Sequence, residues 1–275
     1  MAKLRPKSGG MNVESNSETD VTTSPAERIL SELKLNPENW ALFLDIDGTL
    51  IDLAETPDGI VVPESLPRDL HRLSELLGGR LALVTGRALP YADRLFSPCR
   101  FPIAGLHGAE RRSPSGRIER IEPGAEFERI KRALETEARD WPGVLIEDKG
   151  LAVAAHYRQA PNQKDAVETA MVRYLGQAGA DFTLQRGKMV VEIRPSRASK
   201  GDALRAFLEE APFAGAKPIA IGDDVTDEAM FKVANELGGS SIRIAENASG
   251  TEAQAILPSA ARLREIIAAL AASAQ

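Results

Sequence analysis

Three short apolar runs, each ending abruptly in polar residues, constrain the fold of this chain more than any other feature. Trp40-Ala41-Leu42-Phe43-Leu44 leads straight into Asp45-Ile46-Asp47-Gly48-Thr49. Leu81-Ala82-Leu83-Val84 leads into Thr85-Gly86-Arg87, and Pro218-Ile219-Ala220-Ile221 into Gly222-Asp223-Asp224-Val225-Thr226-Asp227-Glu228. Runs this short suit strands buried on both faces of a parallel sheet rather than helices.

The segments between them carry helical spacing. Helices are expected from Pro25, with Ser24 as N-cap, and over 68–77, 88–96, 200–210, 227–237 and 260–271. Gly78-Gly79 ends the second of these, and further strands are expected at 101–105 and 241–244. Strands alternating with helices predict an α/β fold, a doubly wound parallel sheet.

The middle of the chain breaks this alternation. A helix over 127–139 precedes two apolar stretches at 143–147 and 151–157, joined by Asp148-Lys149-Gly150, which read as a hairpin. A helix over 164–176 and a second hairpin over 182–194, turning at 186–188, repeat that order. The expected organisation is a tail at 1–24, a core from 25–110 and 196–275, and an inserted α+β cap at 111–195. Residues 1–24 are polar and nearly free of large apolar side chains, so they are expected to be disordered.

Charge and cysteine usage narrow the function classes. With 34 basic and 40 acidic residues and a net charge of −6, no basic face for nucleic acid is expected. No run approaches the roughly 18 apolar residues needed to span a bilayer, and the first residues lack the apolar core of a secretory leader. Cys99 is the one cysteine, which suits a reducing compartment. A cytoplasmic monomer acting on a small molecule, without nucleic-acid or membrane partners, is the expectation.

Ligands of an open parallel sheet bind beyond the carboxyl ends of its strands. Taken singly, an Asp-x-Asp is more often a turn or a helix cap, and an acidic run more often a solvated helix start. Taken together, the first and late strands would bring up to five carboxylates into one cleft: Asp45, Asp47, Asp223, Asp224 and Asp227. Such a group repels itself unless a hard divalent cation, best Mg²⁺, takes its oxygens. Lys200, opening a helix, could balance the remaining charge.

Asp45-x-Asp47-Gly-Thr49, Thr85-Gly-Arg87, Lys200 and Gly222-Asp223-Asp224-x-Thr226-Asp227 resemble the four motifs of the haloacid-dehalogenase (HAD) superfamily of phosphatases. The resemblance extends from Trp40 onward and implies a Rossmann-like core with an inserted cap. It implies that Asp45 is the nucleophile, that Asp47 serves as acid and then base, and that Thr85 and Lys200 hold the phosphoryl group. It also implies that Asp45, the Asp47 carbonyl and Asp223 ligate Mg²⁺, with Asp224 and Asp227 in or near its shell. Ile46, Gly86 and Arg87 fall within the same phosphate-binding segments.

Several local strings are similar to those of trehalose-6-phosphate phosphatases: Gly105-Leu106-His107-Gly108-Ala109-Glu110 in the core, and in the cap Glu147-Asp148-Lys149-Gly150, Ala155-His156-Tyr157-Arg158, and Gly187-Lys188-x-x-x-Glu192-x-Arg194-Pro195. That similarity implies hydrolysis of trehalose 6-phosphate. It makes His107, Lys149, His156, Arg158, Lys188, Glu192 and Arg194 candidates for sugar contacts, with Lys149, Lys188 and Glu192 foremost. A phosphatase for another phosphosugar, such as sucrose phosphate or mannosyl-3-phosphoglycerate, shares the core and stays open. A mutase would need a smaller cap, and a silent phosphosugar sensor would not need Asp45 beside Asp47.

Overall fold

The computed structural model describes residues 23–53, 60–120, 124–196, 198–247 and 249–273. Most of the expected tail, residues 1–22, lies outside these. Ser24 already belongs to the folded part: its hydroxyl accepts from the Glu27 N–H at 3.2 Å, and the Glu27 carboxylate accepts from the Ser24 N–H at 3.0 Å. This capping box starts α1 (Pro25–Leu35).

The first half continues with β1 (Trp40–Leu44), α2 (Leu66–Leu76), β2 (Leu81–Val84), α3 (Leu89–Leu95) and β3 (Ile103–Gly105). Then come two short strands that periodicity does not reveal, β4 (Glu110–Arg112) and β5 (Ile118–Arg120). The insertion holds α4 (Ala125–Glu137), β6 (Leu145–Asp148), β7 (Val153–His156), α5 (Lys164–Ala178), β8 (Phe182–Gly187) and β9 (Val190–Pro195). The chain returns with α6 (Lys200–Leu208), β10 (Lys217–Gly222), α7 (Glu228–Glu236), β11 (Ser240–Ile244), β12 (Ala255–Leu257) and α8 (Ala260–Ala272).

Eight strands form the larger sheet in the order β12-β11-β10-β1-β2-β3-β4-β5. The first six are parallel, and β4 and β5 add an antiparallel edge. The insertion therefore leaves this sheet after Arg120, not at the expected border of 111. Along β1, side chains alternate between two cores: Leu42 and Leu44 pack with residues of α1, α2 and α8, whereas Ala41 and Phe43 pack with residues of α6 and α7. Helices cover both faces, as a doubly wound α/β fold requires. The reversal of strand order sits at β1, between β10 and β2, so a cleft opens beyond the carboxyl end of the strand that carries Asp45.

The insertion folds into its own four-stranded antiparallel sheet, ordered β6-β7-β9-β8. The second hairpin turns at Lys188-Met189 rather than at 186–188, with Met189 in the left-handed region (φ 64°). Val153, Ala155, Val191 and Ile193 face α4 and α5 and form a separate apolar core with Phe127, Ile130, Val167 and Met171. Because strand side chains alternate, the opposite face carries Glu147, His156, Glu192, Arg194, Thr183 and Gln185.

Candidate active site

Asp45 sits one residue past β1, where the Asp45 N–H donates to the Ile221 carbonyl of β10 at 2.9 Å. The chain then turns at Gly48, which has φ +78°. A Cβ there would fall 2.1 Å from an Asp223 oxygen, so only glycine lets the first and late strand ends come this close. Thr49, fully buried, presents its hydroxyl to Asp45 at 3.5 Å and to Asp223 at 3.4 Å.

Lys200 opens α6, whose N-cap is Ser199. Its ammonium donates to Asp45 Oδ1 at 2.7 Å and to Asp227 Oδ1 at 2.6 Å. Burial opposes the charge, but the two carboxylates outweigh it and hold the amine well above the ordinary lysine range. The other oxygen of Asp227 accepts from the N–H groups of Asp223 and Asp224, at 3.0 Å each. Asp227 thus joins Lys200 to the late turn and has no oxygen left over.

Asp45, Asp223 and Asp227 each present an oxygen within 4.8 Å of the others. Burial pushes the Asp45 carboxyl well above the usual range; Lys200 pulls it down, while Asp227 and Asp223 add to the rise. Asp223 is pushed up to about 7, first by burial and then by Asp227. One lysine does not neutralise three acids. Among the described residues, the Thr49 hydroxyl at long range is the one side-chain donor bonded to Asp45 Oδ2 and Asp223, so these two fit a divalent cation that takes oxygen ligands. Asp227 fits a supporting role instead. Asp224, expected among the ligands, stands outside the cluster, and its Oδ1 accepts from the Val225 N–H at 2.6 Å.

Asp47 is half-buried, and the Arg87 guanidinium holds both of its oxygens at 2.6 Å each. Arg87 also lies over the Tyr91 ring, 4.4 Å from its centroid. Thr85 is fully buried at the end of β2 and accepts from the Arg87 N–H at 3.1 Å. Gly86 leaves room for His107, whose ring atom would stand 2.7 Å from a Cβ at that position. Ile46, expected among the binding residues, buries its side chain in the sheet core, which leaves its backbone for that role.

The cap face closes over this centre. Leu151 of the cap packs with Leu106, Ala109 and Ala198 of the core, and the Arg194 guanidinium donates to the Ala198 carbonyl. Lys149 reaches across to Glu192 Oε2 at 2.8 Å, and His156 pairs with Glu147 at 2.9 Å. Glu147, which the sequence marks as part of a family-like string but not as a candidate contact, lies on the same face of the cap sheet as Glu192. His107 is half-buried between core and cap, and desolvation, then Lys200, Arg194 and Lys149, hold its imidazole neutral, well below its ordinary pKa. Arg158 and Lys188 are exposed, beyond β7 and at the β8–β9 turn respectively.

A family model described as trehalose-phosphatase matches residues 43–260. A probable trehalose-phosphate phosphatase of Sinorhizobium fredii is 62% identical over 245 residues, covering 89% of this chain and 92% of the relative. A trehalose-6-phosphate phosphatase of Escherichia coli is 44% identical over 211 residues, covering 76% and 79%. Among solved structures, a trehalose-6-phosphate phosphatase related protein superposes with a TM-score of 0.70 at 27% identity, covering 85% of this chain and 97% of that one. The C-terminal domain of a Candida albicans trehalose-6-phosphate phosphatase shares the fold, with a TM-score of 0.74 at 21% identity over 89% and 96%.

Proposed function

The chain belongs to the trehalose-phosphatase family of phosphoric monoester hydrolases, and on that premise we propose that it hydrolyses trehalose 6-phosphate to trehalose and phosphate. We infer that the reaction uses Mg²⁺ and passes through an aspartyl-phosphate on Asp45. The observation that carries the chemistry is the Asp45 carboxylate, aimed by Lys200 at 2.7 Å and set beside Asp223.

In this reading an Asp45 oxygen attacks phosphorus while the bond from phosphorus to the sugar oxygen breaks. Asp47 gives its proton to that oxygen as it leaves. It then takes a proton from water, which attacks the phosphorus, releases phosphate and restores Asp45. Arg87 holds both Asp47 oxygens in the resting site and so positions the carboxyl, and it releases one of them as the proton is delivered. Lys200 and the Thr85 hydroxyl face the phosphoryl oxygens, and Lys200 keeps Asp45 in line.

Asp45 and Asp223 would hold the cation, joined by the Asp47 carbonyl, with Asp224 nearby. When bound, Mg²⁺ supplies positive charge against the phosphoryl oxygens and keeps Asp45 ionised. The cap face supports a polyhydroxylated alcohol, because Glu147, Lys149, His156, Glu192 and Arg194 present both donors and acceptors.

The test is phosphate release from a panel of phosphosugars at equal concentration, with Mg²⁺ and with a chelator. Trehalose 6-phosphate should give the highest kcat/KM, and the chelator should abolish turnover. Faster release from glucose 6-phosphate or sucrose phosphate would refute the substrate, and full activity in the chelator would refute the cation.

A further inference from the structure

We propose that Gln185, on the edge strand of the cap, is a specificity-determining residue whose amide takes a sugar hydroxyl of the substrate. The inference rests on the phosphosugar reading above and adds to it a residue that no motif of the sequence marks.

The register of the cap sheet sets Gln185 directly opposite Glu192, and Thr183 opposite Arg194. Directly opposed residues point to the same side of a sheet, with Cβ atoms about 5 Å apart. That side faces the core, because β9 turns Val191 and Ile193 the other way, into the helices of the cap. Between the edge strand and the starts of α6 and α7 lies a cavity of about 350 Å³. Gln185, Thr183, Arg194, His107, Lys200 and Thr226 are among the residues that line it. Lys200, which lines this cavity, also donates to Asp45, so the cavity borders the phosphoryl centre.

Buried polar atoms without a partner gather on the walls of this cavity and at Glu192, which the register sets opposite Gln185. Gln185 Oε1, Glu192 Oε1, Arg194 Nε and His107 Nδ1 are all buried and lack a hydrogen bond among the described residues. Buried polar groups are almost always paired, so four orphans on facing surfaces point to a ligand that completes them. Two are carbonyl-type acceptors, one is a donor and one is a neutral imidazole nitrogen. A hydroxyl both donates and accepts, so a sugar ring can satisfy such a mixed set, whereas an aryl phosphate leaves it empty. Of the two acceptors, Glu192 already gives its other oxygen to Lys149 at 2.8 Å. Gln185 Oε1 has no bond among the described residues, which leaves it for selection.

Gln185→Leu keeps the bulk and removes the hydrogen bonding. Two readings separate a role in selection from a structural one. The ratio of kcat/KM for trehalose 6-phosphate to that for p-nitrophenyl phosphate should fall roughly ten- to a hundredfold. The melting temperature of the ligand-free protein should stay level or rise, because an unpaired buried acceptor has been removed. An unchanged ratio, or a fall in both substrates together with a lower melting temperature, would overturn the proposal. If instead the wild-type protein prefers another phosphosugar, the substrate reading fails on its own, and the same ratio taken with the preferred sugar still tests Gln185.

Discussion

Replacing Lys200 with methionine tests the electrostatic core of the site directly. Lys200 is 3% exposed, and its partners Asp45 and Asp227 are 4% and 0% exposed. Methionine keeps most of the apolar stem but leaves two buried carboxylates with no cation between them. Removing one partner of a buried ion pair costs about 3–5 kcal/mol, because the remaining charge is neither hydrated nor paired. Protonation is the escape route, so the penalty should be larger at pH 8 than at pH 5. The assay is urea unfolding in a chelator, which keeps added cations from standing in for the lysine. Asp227→Asn in the same background should recover about 1–3 kcal/mol, since an amide oxygen can still accept from the N–H groups of Asp223 and Asp224. Mg²⁺ should stabilise Lys200→Met more than the wild type. A loss below about 1 kcal/mol at pH 8, or strict additivity of the two substitutions, would refute the picture of Lys200 as counter-charge to both acids.

Asp45→Asn should reduce turnover to background while leaving the unfolding free energy within about 1 kcal/mol of the wild type or above it, since one of three buried acids loses its charge; near-normal phosphate release would disprove the assignment of the nucleophile. Cation affinity should weaken as pH falls through 7, because Asp223 is pushed up to about 7 and a proton then competes for its oxygens. The sign for stability follows from the same shift: the metal-free protein holds that proton between about pH 4 and 7 while the unfolded chain does not, so its stability falls as pH rises across that window. Titration calorimetry with Mg²⁺ at pH 5.5 and 8 checks the first statement, and flat affinity would count against it. Arg87→Ala frees both oxygens of Asp47 and should lower kcat several-fold or more while cutting cation affinity little; an unaltered kcat would show that the fork does not position Asp47.

The parallel strands and their acidic ends were legible because both signals are local. A strand buried on two faces reads as an unbroken apolar run, and ligand chemistry gathers where such runs stop. The strands β4 and β5 were not legible, because Glu110-Arg111-Arg112 looks like a solvated loop. Its charges are met by residues far along the chain. Arg112 pairs with Asp93 at 2.7 and 2.8 Å, Arg111 with Glu119 and Glu210, and Glu110 accepts from the Leu89 N–H at 2.5 Å. Likewise, composition marked Asp227 as acidic, but only the fold reveals that both its oxygens are spent on Lys200 and the backbone. Asp47 read as a free acid for the same reason, since its fork partner Arg87 lies 40 positions away. Gln185 carries no charge and no motif, and its meaning comes from sheet register alone.

The bond between Lys200 and Asp45 joins positions 155 residues apart, and this has a consequence for how the protein is made. At about 5–20 residues per second, a ribosome needs roughly 8–30 s between these two side chains. Throughout that interval β1 can pair with β2 on one edge, but its other edge waits for β10, and the apolar side chains meant for α6 and α7 stay uncovered. The nascent chain therefore carries an open, aggregation-prone strand edge while the whole insertion is synthesised. On the proposed mechanism hydrolytic competence comes last, with the segment that also closes the sheet, and chains ending within the insertion should turn over no substrate. Chains stalled at residue 195 should bind chaperones and show no phosphatase activity until residues 196–275 are supplied as a separate piece.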